Sequence, residues 1–220
     1  MARFLLLFFS FCLLHFCVKA QQKGFCLGAE LTPGIMDNQN AYDGPRIGGT
    51  MNVGLDAVYM NDSSYGIYTG LQYHGYAYRL NEKVSYLPGT QTLYYLELPI
   101  AFRYVLKLSK PSSLFFNAGI IFSIRTYAKF SASAEGPNGY YVSGTNTQDF
   151  VLTVPKPFLD IGWLHRLSDN AFFSVGWHLS SALNDVHKTN SVPVGTNKCT
   201  MTVAALKIGM LFYFNHSPNR

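Results

Sequence analysis

The sequence predicts an all-β fold, an eight-stranded antiparallel up-and-down transmembrane β-barrel, and three observations carry this prediction. Apolar and polar residues alternate with a period of two over most of the chain, as they do in strands with one apolar face. Short and long connections alternate between these segments. Charged residues make up only 13% of the chain and aromatic residues 15%, a composition that suits a surface covered by lipid.

The alternation is clearest at residues 92–108 and recurs in seven other segments. Strong copies lie at 47–59, 114–130 and 171–183, and weaker copies lie at 23–35, 65–80, 149–166 and 199–214. Pro155 and Pro157 interrupt one weaker segment. Because proline cannot donate a ladder hydrogen bond, they predict a β-bulge there.

The connections between segments fall into two classes. Three are short (61–64, 109–113 and 168–170) and four are longer (37–45, 81–91, 131–148 and 184–198). In an outer-membrane barrel the short turns face the periplasm and the longer loops face outward. The loop 131–148 is the candidate for docking a protein partner, because Tyr140 and Tyr141 are adjacent aromatic residues of the kind that anchor interfaces. The alternative is a loop that is only solvated.

The N-terminus has the pattern of a secretory signal. Arg3 precedes an apolar stretch at 4–18, and Ala20 offers a small residue before a polar pair. We expect a signal peptide at 1–20 and a barrel domain at 21–220, exported to the outer membrane of a Gram-negative bacterium. Loss of Arg3 and Lys19 lowers the formal charge from +5 to +3, too mild a value to indicate a nucleic-acid partner.

Cysteine and histidine usage gives no sign of a disulfide framework or a metal site. Only Cys26 and Cys199 follow the predicted signal peptide, and we expect them to stay unlinked because they lie toward opposite rims of the barrel. No metal-ligand spacing occurs, and we expect no cofactor.

The polar face of the predicted strands is rich in Gly, Ser, Asn, Thr and Tyr, with few charges. Such a face suits the lumen of a barrel, and the apolar face suits lipid. A soluble, lipocalin-like barrel also alternates, but with its apolar face inward around a ligand. It is the alternative fold-level interpretation.

Side chains fill the lumen of an eight-stranded barrel, so its charges need partners. With Pro111 as the centre of a hairpin, Glu97 lies opposite Arg125 on the lumen face, which also carries Arg103. We expect a buried ion pair. A gated ion path through Glu97 is the functional alternative.

A second hairpin, centred on Asp169, places Asp160 opposite His178, with Ser180 on the same face. Two interpretations follow. The residues form a structural lumen network, or Ser180 is a nucleophile, His178 its base and Asp160 the acid that orients the base. The strand phase points His178 and Ser180 into the lumen, whereas a lipid-cleaving site must open to the bilayer. We therefore expect a protein without enzymatic activity.

Several segments of the chain resemble PorT-like outer-membrane β-barrel proteins. They are YLELP at 95–99 followed by Arg103 and Tyr104, PFLDIG at 157–162, and the aromatic end FYF at 212–214. The resemblance implies an outer-membrane barrel in contact with lipid. It also implies an aromatic C-terminal signal for the barrel-assembly machinery, although residues 215–220 follow that signal. Some PorT-like proteins are accessory parts of a secretion system.

A shorter resemblance concerns His178-Leu179-Ser180, which is similar to the His-x-Ser strand motif of the outer-membrane lipid A deacylase PagL. That motif continues with Asn, where this chain has Ser181. The leading hypothesis is a non-catalytic barrel that anchors or docks envelope proteins through its loops. A PagL-like hydrolase that uses His178 and Ser180 is the alternative.

Overall fold

The computed structural model describes residues 24–40, 44–61, 64–80, 89–109, 111–133, 141–186 and 200–214. Nearly all of them lie in strands: β1 Gly24–Asn40, β2 Gly44–Met60, β3 Tyr65–Leu80, β4 Gly89–Ser109, β5 Ser112–Ser133, β6 Tyr141–Thr145, β7 Thr153–Arg166, β8 Ala171–Ser181 and β9 Thr200–Phe214. A single 3₁₀ turn at Thr147–Asp149 follows β6. Within these ranges the chain forms no helix of the length and apolarity needed to cross a membrane.

Eight of the strands close into an antiparallel barrel. Each strand pairs with its neighbour in the ring, β4 pairs with β5, β5 with β7, and β1 closes the ring against β9. The short strand β6 stands outside the ring and pairs with the end of β5. The predicted eight-stranded up-and-down barrel is therefore confirmed, with β6 as an addition.

The register fixes the tilt of the strands. Following paired residues once around the ring from Phe25 leads back to Ile35 on the same strand, a shift of ten residues, through Tyr59, Ile67, Phe102, Ala118, Leu159, Leu179 and Ala204. Ten residues at about 3.3 Å each, over eight strands about 4.8 Å apart, correspond to a tilt of about 40°. A barrel of this size has a lumen that side chains can fill.

The ring has two distinct ends. Gly24, Phe214 and the connections at 61–64, 110–111 and 167–170 share one end, which we call the turn end. The other connections lie at the opposite end, the loop end. The first of these is shorter than predicted, because β1 reaches Asn40 and β2 begins at Gly44, so the expected loop 37–45 shrinks to 41–43.

The outer face of the barrel is apolar and the inner face is polar. Outward side chains such as Leu55 and Ile47 are 66% and 74% exposed, whereas polar side chains such as Glu97 and Asp160 are buried inside. In the described strands, formally charged side chains take outward positions only at the loop end, at Asp37, Arg79 and Lys129. This distribution is the reverse of a soluble lipocalin-like barrel, and that alternative is wrong.

Aromatic side chains ring the outer face at the turn end. Every strand of the ring contributes one: Phe25, Tyr59, Tyr65, Tyr104, Phe116, Trp163, Phe173 and Phe214. At the loop end the outward tyrosines are grouped on β3, β4 and β5, where Tyr73 and Tyr94 stack at 5.6 Å and Tyr127 follows at 6.2 Å from Tyr94. Interfacial aromatic residues of this kind mark the two limits of the membrane-spanning zone.

The predicted register of the β4–β5 hairpin is wrong by two residues. Glu97 lies opposite Ser123, and Arg125 lies opposite Tyr95. The turn occupies 110–111 rather than centring on Pro111, and an irregularity between Lys107 and Ser109 shifts the pairing further. The expected Glu97–Arg125 pair therefore does not form. A second irregularity, next to Tyr94, reverses the phase of β5 and turns Lys129 outward.

The predicted bulge at Pro155 and Pro157 is also absent, because β7 keeps one register against β5 through both prolines. The carbonyl of Pro155 accepts a hydrogen bond from Leu183 N at 3.0 Å, so its polar groups face the β8 side. The β7–β8 ladder ends at Phe158 and Ser180. The missing donors therefore fall beyond the end of that ladder, where proline is tolerated.

Cys26 is a buried free thiol on β1, opposite Tyr213. Cys199 lies outside the described residues, but its neighbour Thr200 pairs with Gln39 near the other end of β1. The absence of a disulfide remains a prediction, which this register supports.

Candidate functional site

Polar side chains fill the middle of the lumen, between two apolar clusters. The cluster toward the loop end includes Met36, Tyr95, Phe150 and Val186. The cluster toward the turn end includes Cys26, Met60, Phe115 and Leu211. Charged side chains between these layers are cut off from bulk water and must satisfy one another.

Glu97 is the centre of the first polar cluster. Its Oε1 lies 2.5 Å from Lys156 Nζ, and it accepts hydrogen bonds from Tyr76 OH at 3.0 Å and Ser123 Oγ at 2.9 Å. His74 Nδ1 lies 2.9 Å from Oε2. Lys156 Nζ also sits 4.7 Å from the centre of the Tyr76 ring. Glu97 is thus held by residues of β3, β5 and β7 at once.

Lys207 is the centre of the second cluster. Its Nζ lies 2.5 Å from Glu30 Oε2 and 3.2 Å from Asp160 Oδ2, and it donates to Tyr68 OH at 2.8 Å. Tyr68 OH in turn donates to Asp56 Oδ1 at 2.8 Å. One buried ammonium group therefore links β9 to β1, β3 and β7.

Asp160, His178 and Ser180 form a chain of hydrogen bonds. Asp160 and His178 face each other across the β7–β8 ladder, in agreement with the sequence prediction. His178 Nδ1 lies 2.7 Å from Asp160 Oδ1, and His178 Nε2 lies 3.1 Å from Ser180 Oγ. This is the connectivity of a catalytic triad.

Two features of the Asp160–His178–Ser180 hydrogen-bond series bear on whether it could act as a catalytic triad. Asp160 and Ser180 are buried, at 0% and 5% exposure, beneath the apolar cluster at the loop end. Ser180 is also paired with Phe158 and Val203 on its two sides, so the backbone N–H groups around it are committed to ladders. An oxyanion hole needs donors that are free to meet the developing charge.

Asp160 carries more partners than a triad acid needs. Asn117 Nδ2 donates to its Oδ2 at 2.8 Å, and Lys207 contacts the same oxygen. The predicted lumen residue Arg103 joins this group, donating to Asn117 Oδ1 at 3.4 Å while its guanidinium stacks 4.6 Å from the Phe115 ring centre. Asp160 is thus shared among residues of β5, β8 and β9.

Arg125 is separated from the other predicted network residues. Its Nη1 donates to the backbone carbonyl of Phe150 at the loop end. Sequence reasoning missed Lys156, because the two flanking prolines obscured the alternation of β7, and it missed Lys207 and Glu30, which lie on weakly alternating strands. Their signal in the sequence was a charged residue inside a segment that reads as a strand.

The segment after β6 closes the loop end of the lumen. Asn146 and Gln91 exchange two side-chain amide hydrogen bonds, of 2.8 and 3.1 Å. Phe150 is buried beneath them, and Val151 N donates to Val186 O at 2.9 Å. Of the two predicted docking residues, Tyr141 is 66% exposed at the start of β6, and Tyr140 lies outside the described residues.

A closed barrel with a lipid-facing apolar belt and a polar, filled lumen defines an integral membrane protein of the outer-membrane type. The sequence agrees: residues 20–197 match the family model of the outer membrane protein beta-barrel domain, and the chain belongs to this family. It is an outer-membrane protein. None of the curated proteins matches the chain.

Solved structures with a similar fold include three outer-membrane barrels. Neisserial surface protein A shares 14% identity, with 90% of this chain and 100% of that chain covered and a TM-score of 0.47. Ail, the attachment invasion locus protein of Yersinia pestis, shares 14% identity, with 87% and 100% covered and a TM-score of 0.37. The outer membrane enzyme PagL shares 12% identity, with 82% and 97% covered and a TM-score of 0.43.

Proposed function

We propose that this protein is a non-catalytic outer-membrane barrel of the PorT-like type, which anchors or docks other envelope proteins. The observation that supports this most is the filled lumen, in which Glu97 pairs with Lys156, and Asp160 with Lys207, between two apolar layers. A lumen filled in this way favours neither conduction nor catalysis. With lipid around the wall, the two rims remain for specific recognition.

The test is affinity purification of the tagged full-length protein from detergent-solubilised outer membranes. The control is another eight-stranded barrel of the same membrane, carrying the same tag. A protein that co-purifies in fixed proportion with this barrel, and not with the control, supports a docking role. Purification of the barrel with lipid alone contradicts it.

The specific link to a secretion system needs its own experiment. Deletion of the gene should reduce the amount of secreted protein in the medium, and the full-length protein should restore it. Normal secretion in the deletion strain would remove the secretion role and leave the docking role open.

The rim that faces outward follows from the alternation of turns and loops. An epitope inserted at Asn138, in the loop that lies partly outside the described residues, should be labelled on intact cells. An epitope inserted at Pro111 should be labelled only after permeabilisation, because short turns face the periplasm. The opposite labelling would invert the topology and with it the docking rim.

A lipid-modifying hydrolase is the second candidate, and the hydrogen-bonded chain Asp160–His178–Ser180 favours it. We expect Ser180→Ala to leave the acylation pattern of lipid A unchanged in mass spectra of whole membranes. Loss of a deacylated species in this variant, with normal amounts of folded barrel, would replace the docking proposal with a catalytic one.

A further inference from the structure

Among the described residues, β6 is the edge strand of a sheet that extends from the barrel at the loop end. The upper parts of β3, β4 and β5 pair in succession, and β6 pairs with β5 over Lys129–Ser133. Among the described residues, β6 has a hydrogen-bonded neighbour on one side only. Its second edge therefore presents the backbone N–H and C=O groups of alternate residues.

This edge lacks three of the features that protect edge strands. Natural edges are blunted by charged residues, by proline or by bulges. The sequence of β6 is YVSGT, without charge or proline, and its five residues pair with β5 in an unbroken register. An uncharged and regular edge of this kind is a template for another strand.

Contacts with the rest of the barrel fix the position of β6. A Cβ atom added to Gly144 would lie 2.9 Å from the ring of Phe130, so the ring covers this edge glycine, a device that pins strand register. The following residues are tied to the barrel by the Asn146–Gln91 amide pair and by a 3.1 Å hydrogen bond from Ala128 N to Thr147 Oγ1. A strand fixed in this way loses little conformational entropy on binding.

We propose that the free edge of β6 binds an extended, uncharged segment of another protein by strand addition. This proposal rests on the docking function proposed above and assigns its site and mode. Backbone hydrogen bonds supply the affinity, and side chains on both faces of the strand supply selectivity. Tyr141 and Val142 are 66% and 41% exposed on the two faces, so the bound segment should carry β-branched or aromatic residues opposite them.

The geometry of the membrane argues against a second copy of this chain as the occupant. Two barrels in one membrane are related by a two-fold axis along the membrane normal, so both β6 strands run in the same direction. Only parallel pairing is then possible. In a parallel pair, a residue whose backbone groups point toward the neighbouring strand lies opposite a residue whose groups point away from it. The two-fold axis makes both strands present the same residues, so a regular ladder cannot form.

The chain offers a matched pair of variants for the test. Ser143 on β6 and Ser131 on β5 lie directly opposite each other. Ser143→Lys places a charge on the open edge, while Ser131→Lys places the same charge on a strand that is paired on both sides. Heat-modifiable gel mobility reports whether each variant is folded.

The probe is a phage-displayed library of random ten-residue peptides, selected against the full-length protein in lipid nanodiscs after subtraction on empty nanodiscs. We expect peptides rich in β-branched and aromatic residues. Their affinity should fall by about tenfold or more for Ser143→Lys, about 1.4 kcal/mol, and change less than about twofold for Ser131→Lys, because only the first variant charges the edge. N-methylation of the peptide backbone should weaken binding at every second residue.

Failure to select any peptide would overturn the proposal. Equal binding to both lysine variants, or N-methylation effects without a period of two, would also overturn it. Binding that appears only after residues 187–199 are replaced by a short Gly/Ser connector would assign the edge to the chain itself. A dimer in nanodiscs that Ser143→Lys disrupts would assign it to a second copy. An envelope partner that co-purifies equally with Ser143→Lys would preserve the docking function and refute this site.

Discussion

The inner and outer faces of the same strand follow different rules. On β4, Glu97 points inward and contacts Lys156, Tyr76, His74 and Ser123. The adjacent Leu98 points outward, is 44% exposed and faces lipid. Each inner residue is therefore specified by particular partners on other strands, whereas an outer residue needs only to be apolar. Changes of similar size should be costly inside and tolerated outside unless they add charge.

The largest expected effect comes from breaking the Glu97 cluster. Glu97→Leu leaves Lys156 as a buried ammonium group without its carboxylate partner, and we expect a loss of about 3–5 kcal/mol in the free energy of unfolding. The double variant Glu97→Leu with Lys156→Leu should lose less than the single variant. Guanidinium unfolding in detergent, followed by tryptophan fluorescence, measures both values.

The control for this cycle is Glu97→Leu with Arg125→Leu, because these residues do not contact each other in the structure. Their losses should add. Coupling between Glu97 and Arg125 would restore the register expected from the sequence and contradict the one observed.

The next effect concerns charge on the outer face. Leu55→Arg places a cation on the outer face of β2, within the lipid-facing belt, and we expect a cost of about 2–4 kcal/mol there. Ile47→Arg on the same face lies near the loop end, where the cost should be about 0–1 kcal/mol. Equal costs at the two positions, measured by folding into vesicles at graded denaturant, would contradict the assigned membrane level.

A smaller effect should follow from one added methyl group in the lumen. A Cβ atom at Gly162 would lie 2.4 Å from the Phe115 ring and 2.6 Å from the backbone oxygen of Val175, so Gly162→Ala should cost about 1–3 kcal/mol. Gly49 faces outward with nothing within 4 Å of its added Cβ, so Gly49→Ala should stay within about 0.5 kcal/mol. Unfolding midpoints compare the two variants. Phe115→Leu should rescue Gly162→Ala only in part, because it relieves the contact with the ring and leaves the contact with Val175 O.

The smallest effect compares the adjacent serines of β8. Ser180→Ala removes the buried hydrogen bond to His178 and should cost about 0.5–1.5 kcal/mol. Ser181→Ala removes an exposed hydrogen bond to Thr202 and should stay within about 0.5 kcal/mol. A larger loss for Ser181→Ala in the same unfolding assay would show that the two faces are not distinguished in this way.

The sequence predicted which way side chains point better than it predicted which residues meet. Alternation assigns each residue to a face, and Glu97, Arg103 and Asp160 all lie in the lumen as their phase indicates. A slip of two residues between neighbouring strands leaves every side chain on the same face. Alternation therefore could not detect the two-residue error that separated Glu97 from Arg125.

Register was predictable where the turn was simple. The strands β7 and β8 keep one register from Phe158 to Arg166, and Asp160 lies opposite His178 as expected. The β4–β5 hairpin contains two irregularities that leave no mark in the pattern of apolar residues. The strand β6 was missed because five residues are too few to show a period within a long loop.

The closure of the ring has a consequence for how this protein is made. The seam between β1 and β9 joins Phe25 to Phe214, so the first strand cannot complete its pairing until nearly the whole chain is available. In hydrocarbon every exposed edge leaves backbone groups without partners, at several kcal/mol each. A chain truncated before β9 would insert with two such edges. Biogenesis should therefore be all-or-none, with no membrane-embedded intermediate that lacks only the last strand.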